Sequence, residues 1–127
     1  MIVNDPETLA AVSKAFHRYE QALMINDLAV LDELFLDSPA TLRFGSTENL
    51  YGIVAIRAFR TARIGGSPQR TLKATIITAY GLDLATANTE FQYANETRVG
   101  RQSQVWVRTE GGWRIACAHV SFIEDGA

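Results

Sequence analysis

From Gln69 to Ile123 the chain is four long segments rich in Val, Ile, Thr, Tyr and Phe, at 70–80, 84–93, 98–108 and 113–123. Only Gly81-Leu82-Asp83, Ala94-Asn95-Glu96-Thr97 and Glu110-Gly111-Gly112 part them. Connections this short cannot carry a strand back to a parallel neighbour, so the segments predict an antiparallel meander.

The chain ahead of the meander has the opposite period. Asp5-Pro6-Glu7 is a helix start, with an N-cap acceptor, a proline at the first helical position and an acid near the positive dipole end. Leu9, Val12, Phe16, Tyr19 and Leu23 follow at helical spacing, so one stripe is buried as far as about Ile25, and His17 lies off it in solvent. Asn26-Asp27 recaps the chain for a short helix from Leu28 to Phe35, which Ser38-Pro39 ends. Thr41 to Phe44 is a short strand, and Gly52 to Arg63 is a third helix closed by Gly65-Gly66. Helices first and a meander after predict an α+β fold, with N-terminal helices packed on one face of a curved antiparallel sheet. No linker or repeat divides it, so residues 1–127 form a single domain.

The third helix is unusual. At 100° per residue Ile53, Ile56, Arg60 and Arg63 fall in one narrow sector, so two arginines continue an apolar stripe. A buried guanidinium needs a partner. Either Arg60 and Arg63 reach water or pair with Glu48 or Glu90, or they bind an anion.

Strand parity supplies the facing wall. A two-residue loop at Glu110-Gly111 pairs Thr109 with Gly112, which sets Trp106 opposite Ile115, Gln104 opposite Cys117 and Gln102 opposite His119. An odd loop at Asn95 adds Asn88 and Glu90 to the same side; a two-residue loop would bring Thr89 and Phe91 there instead. The odd loop is preferred because it gives Glu90 polar company. The expected pocket face then holds Asn88, Glu90, Gln102, Gln104, His119 and Ser121, with Arg60 and Arg63 packed over it. Glu90 beside His119 would be an acid/base pair, since each shifts the other's pKa; otherwise these side chains form a buried polar network that fixes register. Phe91, Tyr93, Val105, Val107, Val120 and Phe122 fall on the opposite face, which is too apolar to stand in free solvent.

Composition narrows the partners. Net charge is −2, so no basic field invites nucleic acid or a membrane surface, and no apolar run approaches the roughly 20 residues of a bilayer span. A lone Cys117, more apt to pack than to attack, and an N-terminus without a signal-peptide pattern predict a cytoplasmic protein. There is no HExxH, CxxC, P-loop or GxGxxG, so neither a metal nor another cofactor is expected.

Five segments in order carry a resemblance: Glu48-Asn49-Leu50-Tyr51-Gly52, Ala58-Phe59-Arg60-Thr61-Ala62-Arg63, Asn88-Thr89-Glu90-Phe91, Gly100-Arg101-Gln102-Ser103-Gln104 and Ala118-His119-Val120-Ser121. Together they resemble the AtzH/HpxZ-like family, within the SnoaL-like, cystatin-like cone folds of the nuclear transport factor 2-like superfamily. The resemblance implies a homodimer associated with an amidase of oxalurate (purine) or cyanuric acid breakdown. In the AtzH branch it also implies conversion of 1,3-dicarboxyurea to allophanate; this chain lies nearer the HpxZ branch.

The expected function is therefore cofactor-free action on a small anionic ureido acid, such as oxalurate or an N-carboxylated urea. Arg60, Arg63 and Arg43 would clamp the carboxylate, Glu90 and His119 would move a proton, and Gln102 and Tyr51 would orient the urea carbonyl, with Gln104, Asn88 and Ser121 completing the pocket. The alternative is a non-catalytic dimeric binding or accessory module for the amidase.

Overall fold

A computed structural model describes residues 1–125. Three helices, α1 (Pro6–Ile25), α2 (Leu28–Leu34) and α3 (Ile53–Ala62), accompany six strands. These are β1 (Leu42–Phe44), β2 (Asn49–Tyr51), β3 (Arg70–Tyr80), β4 (Leu84–Tyr93), β5 (Val99–Thr109) and β6 (Gly112–Ile123), in the sheet order β2-β1-β6-β5-β4-β3. The meander is antiparallel as expected, but β1 joins β6 in parallel, so the sheet is mixed. The short strand β2, too brief and polar to announce itself, folds back on β1.

The helices begin where the sequence places them. Asp5 accepts from the Thr8 amide at the start of α1, with Pro6 behind it, and Asp27 caps α2 through the Val30 amide. The stripe of α1 buries Val12, Phe16, Tyr19 and Leu23 against Leu31, Leu34, Ile56, Trp106 and Ile115. On the sheet, Ala85, Ala87 and Ala118 lie under the helices, small side chains that leave room for the large ones above.

Two irregularities decide which side chains face the helices. Trp106 pairs with Ile115 as expected, yet Val105 pairs with Cys117, so Ala116 is an extra residue in β6. Beyond it the parity reverses: Ala118 and Val120 face the helices, while Cys117, His119 and Ser121 face away. The reversal coincides with a change of neighbour. Before the bulge β6 is bridged by Phe35 and Leu36, with Leu36 N donating to Ile115 O at 2.9 Å; after it β6 pairs with β1. A second bulge lies between Lys73 and Ile76 of β3, where Ala74 takes φ 53°.

The β4–β5 register is even: Phe91 pairs with Gly100, with eight residues between them, although the link between the two strands, 94–98, is five residues long. This corrects the register expected from an odd loop. Ala85, Ala87, Thr89 and Phe91 face inward, and Asn88 and Glu90 face outward. Gly100 is required opposite Phe91, because a Cβ there would stand 2.2 Å from the ring. Of the six apolar residues expected on the outer face, Val105 and Val107 remain there. Phe91, Tyr93, Val120 and Phe122 lie on the helix side, where Phe122 packs edge-on to Phe91 with centroids 5.5 Å apart.

Candidate functional site

Between the helices and the inner sheet face, α1 and α3 close over a cavity lined by four arginines: Arg43 from β1, Arg60 from α3, Arg63 at its C-cap and Arg70 from β3. Tyr19, Tyr93, Ser67 and Gln102 add polar groups, and Leu23, Leu50, Ile56 and Val120 an apolar wall. The free space is about 30 Å³, room for roughly two waters.

Three of the arginines are neutralised by carboxylates. Arg60, 7% exposed, donates to Asp32 at 2.7 Å and lies over the Phe35 ring, which ties α3 to α2. Arg43 pairs with Glu48 at 2.8 Å. Gly45 leaves room for this ion pair, since a Cβ there would stand 1.8 Å from Glu48 Oε1. Burial raises the Glu48 pKa, but the hydrogen bonds from Thr47 and Arg43 outweigh it and leave the carboxyl below its ordinary range.

Arg70 is the most enclosed, its side chain 3% exposed. Its Nε and Nη2 grip the two oxygens of Glu20 at 3.0 and 2.6 Å, Nη2 also donates to Gln102 Oε1 at 3.1 Å, and the guanidinium lies over Phe91. Burial works against its charge, yet Glu20 carries the pKa above the ordinary arginine value.

Arg63 differs. Half-buried against Phe59, it has no carboxylate partner among the described residues, and its buried Nε has no acceptor. Burial and then the nearby Arg43 push its pKa down, against the pull of the Tyr19 and Tyr93 hydroxyls. Four guanidiniums and three carboxylates leave one positive charge in the cavity.

Of the residues expected from sequence, Arg43, Arg60, Arg63 and Gln102 meet in this cavity. The partners suggested for Arg60 were Glu48 or Glu90; its partner is Asp32. Gln104 is 1% exposed, but it accepts from Trp106 Nε1 in the core and does not line the cavity. The remaining expected pocket residues lie across the sheet. His119 is exposed and packs edge-on to Phe44; Glu90 sits opposite Arg101; Asn88 is exposed; Ser121 accepts from Arg101. Tyr51 is 67% exposed beside Phe44. The bulge at Ala116 puts His119 and Ser121 there, and the even β4–β5 register Asn88 and Glu90; Tyr51 lies on β2, opposite Leu42. His119 and Glu90 are also held apart by β5, so no acid/base pair forms between them.

Tyr19, Arg70 and Tyr93 were missed as pocket residues. Tyr19 was visible only as part of the α1 stripe, whereas Arg70 shares its strand face with Leu72, a parity that marks it as inward.

A curved sheet wrapped around three helices, with a polar cavity between the layers, defines a small pocket protein of the nuclear transport factor 2-like, cystatin-like fold. The chain belongs to the AtzH-like family, whose model matches residues 1–126. It is 53% identical to a protein of unknown function of the DUF3225 family from Pectobacterium atrosepticum SCRI1043, over 96% of this chain and 95% of that one, with a TM-score of 0.93. A cystatin-like fold protein from Burkholderia xenovorans LB400 is 43% identical over 97% of both chains, with a TM-score of 0.92. An NTF2-like protein of unknown function from Pseudomonas putida KT2440, 18% identical over 94% of this chain and 89% of that one with a TM-score of 0.78, shares the fold. No curated protein matches this chain. Among the described residues no helix is long and apolar enough to cross a membrane.

Proposed function

We propose that the cavity binds a small ureido acid or N-carboxylated urea through its carboxylate, with Arg63 as the receiving cation. The observation that carries this reading is the contrast among four arginines in one cavity. Three have carboxylates within hydrogen-bond distance, and Arg63 is left with an unmet buried donor. A half-buried guanidinium without a counter-charge is costly, and a carboxylate supplies both charge and acceptors. With about 30 Å³ free, the ligand enters by moving the Arg63 side chain off Phe59.

The same cavity suits loss of an N-carboxyl group. The carboxyl carbon–nitrogen bond breaks, CO₂ leaves, and the electron pair stays on nitrogen, which takes a proton. One carboxylate of an N,N′-dicarboxylated urea would be held at Arg63. The other, against Leu50, Ile56 and Val120, would leave from apolar surroundings that favour neutral CO₂ over the anion. The hydroxyls of Tyr19 and Tyr93 line the cavity as proton donors for the nitrogen. His119 and Glu90 have no part in this cavity chemistry.

Purified protein supplied with an N-carboxylated urea generated in the assay should accelerate CO₂ release above the spontaneous rate. Binding of oxalurate without any acceleration would favour the non-catalytic accessory role for an amidase. Neither binding nor acceleration would remove the reading. For the sheet's outer face we propose a second copy of the chain as cover. Leu42, Phe44, Val105, Val107 and Cys117 share it, and Tyr51, Ile76 and Leu84 stay largely exposed there.

A further inference from the structure

We propose that Gln102 sets the specificity of the arginine cavity, and that the Glu20–Arg70 pair fixes its amide so that the cavity selects acids carrying a neutral carbonyl oxygen beside the carboxylate. The proposal rests on the anion-binding reading of Arg63 and deepens it.

A glutamine amide is ambidextrous, since half a turn exchanges its acceptor for its donors. Here one end is committed. Arg70 has donors and no acceptor, and it reaches Gln102 at 3.1 Å, which assigns the facing atom as Oε1. Arg70 in turn is pinned by both oxygens of Glu20 and by the face of Phe91, 4.6 Å from the ring centroid to the guanidinium carbon. Glu20 on α1 and Arg70 on β3 are thus positioning residues for an amide on β5.

The other end of that amide is Nε2, buried and without an acceptor among the described residues, on a residue 3% exposed that lines the cavity. Arg63 Nε in the same cavity is also without one. Gln104 has an unmet Nε2 as well, but it sits in the core beside Trp106 and offers the cavity nothing. Buried donors are costly to leave unpaired, so a ligand gains most by presenting an acceptor to each. The acceptor at Arg63 is a carboxylate. The acceptor at Gln102 is neutral, because its Nε2 carries no charge and Arg70, the cation beside it, is already neutralised by Glu20. A carboxylate with a carbonyl a short chain away is the constitution of a ureido acid or a 2-oxo acid amide.

The test compares two probes by calorimetric titration: oxalurate, and pentanoate, which has the same chain length and no carbonyl beyond its carboxylate. Wild-type protein should prefer oxalurate. Gln102→Leu should weaken oxalurate by about tenfold, the worth of one hydrogen bond to a buried donor, and leave pentanoate unchanged. The double variant Glu20→Leu with Arg70→Met, whose amide is free to turn, should lose part of the preference while still binding pentanoate. Should Gln102→Leu melt below the assay temperature, Gln102→Met carries the same comparison. An unchanged preference in the Gln102 variant, or an equal loss for both acids, would overturn this proposal and leave the Arg63 reading standing. Failure of wild-type protein to bind either acid would remove both.

Discussion

Arg63 rests against Phe59 with its guanidinium carbon 5.6 Å from the ring centroid, and among the described residues it has no carboxylate to answer its charge. Arg43 meets the same ring at 5.7 Å but is paired with Glu48. The aromatic contact is worth about 0.5–1 kcal/mol at a partly exposed site and does not offset desolvation of an unpaired cation. Arg63→Met should therefore stabilise the ligand-free protein by about 1 kcal/mol, a rise of roughly 2–5 °C in Tm. Thermal melts of the two proteins check this. A lower Tm for the variant would mean that Arg63 serves the fold.

Arg70 should behave in the opposite way. Its removal strands Glu20, whose side chain is 14% exposed, together with the Oε1 of Gln102. Arg70→Met is expected to cost about 3–5 kcal/mol in denaturant unfolding, as for other broken buried pairs. Adding Glu20→Leu should recover much of that loss, a coupling that a double-mutant cycle measures.

His119→Ala should leave ligand affinity within about twofold of wild type, because the imidazole is exposed on the far side of the sheet. Titration of both proteins with oxalurate reads this directly. A loss of tenfold or more would place His119 back at the site.

Acid should loosen the Arg43 end of the cavity. Glu48 has a folded pKa below its ordinary 4.5, so its stabilising contribution is present above that value and is lost as pH falls through the folded pKa. Unfolding free energies measured from pH 6 to pH 3 should fall less steeply for Glu48→Gln than for wild type. Parallel curves would contradict the role given to the Thr47 and Arg43 hydrogen bonds.

Much of the fold was legible because local chemistry and global structure agree. The Asp5 and Asp27 caps, the helical stripes and the short turns place three helices and four long strands close to where they lie. Parity was the weak point. In β6 an unbroken alternation ran from Trp113 to Ser121, and Ala116, small enough for either face, gave no sign of a bulge. One signal was available: after Ala116 the set Ala118, Val120 and Phe122 is more apolar than Cys117, His119 and Ser121. Inward placement of the apolar set requires one extra residue. The same comparison favours Ala87, Thr89 and Phe91 over Asn88 and Glu90 in β4. The arginine stripe on α3 was visible, and both of its arginines reached the cavity. Their partners were not, because Asp32 and Arg60 are 28 residues apart, Glu20 and Arg70 are 50 apart, and no local pattern joins them.

Arg63 as the receptor for a ligand carboxylate is tested most directly by titrating oxalurate into wild-type protein and into Arg63→Met, each shown to be folded by its melting curve. Saturable binding to wild type, with a loss of about 100-fold or more in the variant, is the predicted result, since the interaction of one charged hydrogen-bonded pair is removed. Equal affinity in the two proteins would contradict it.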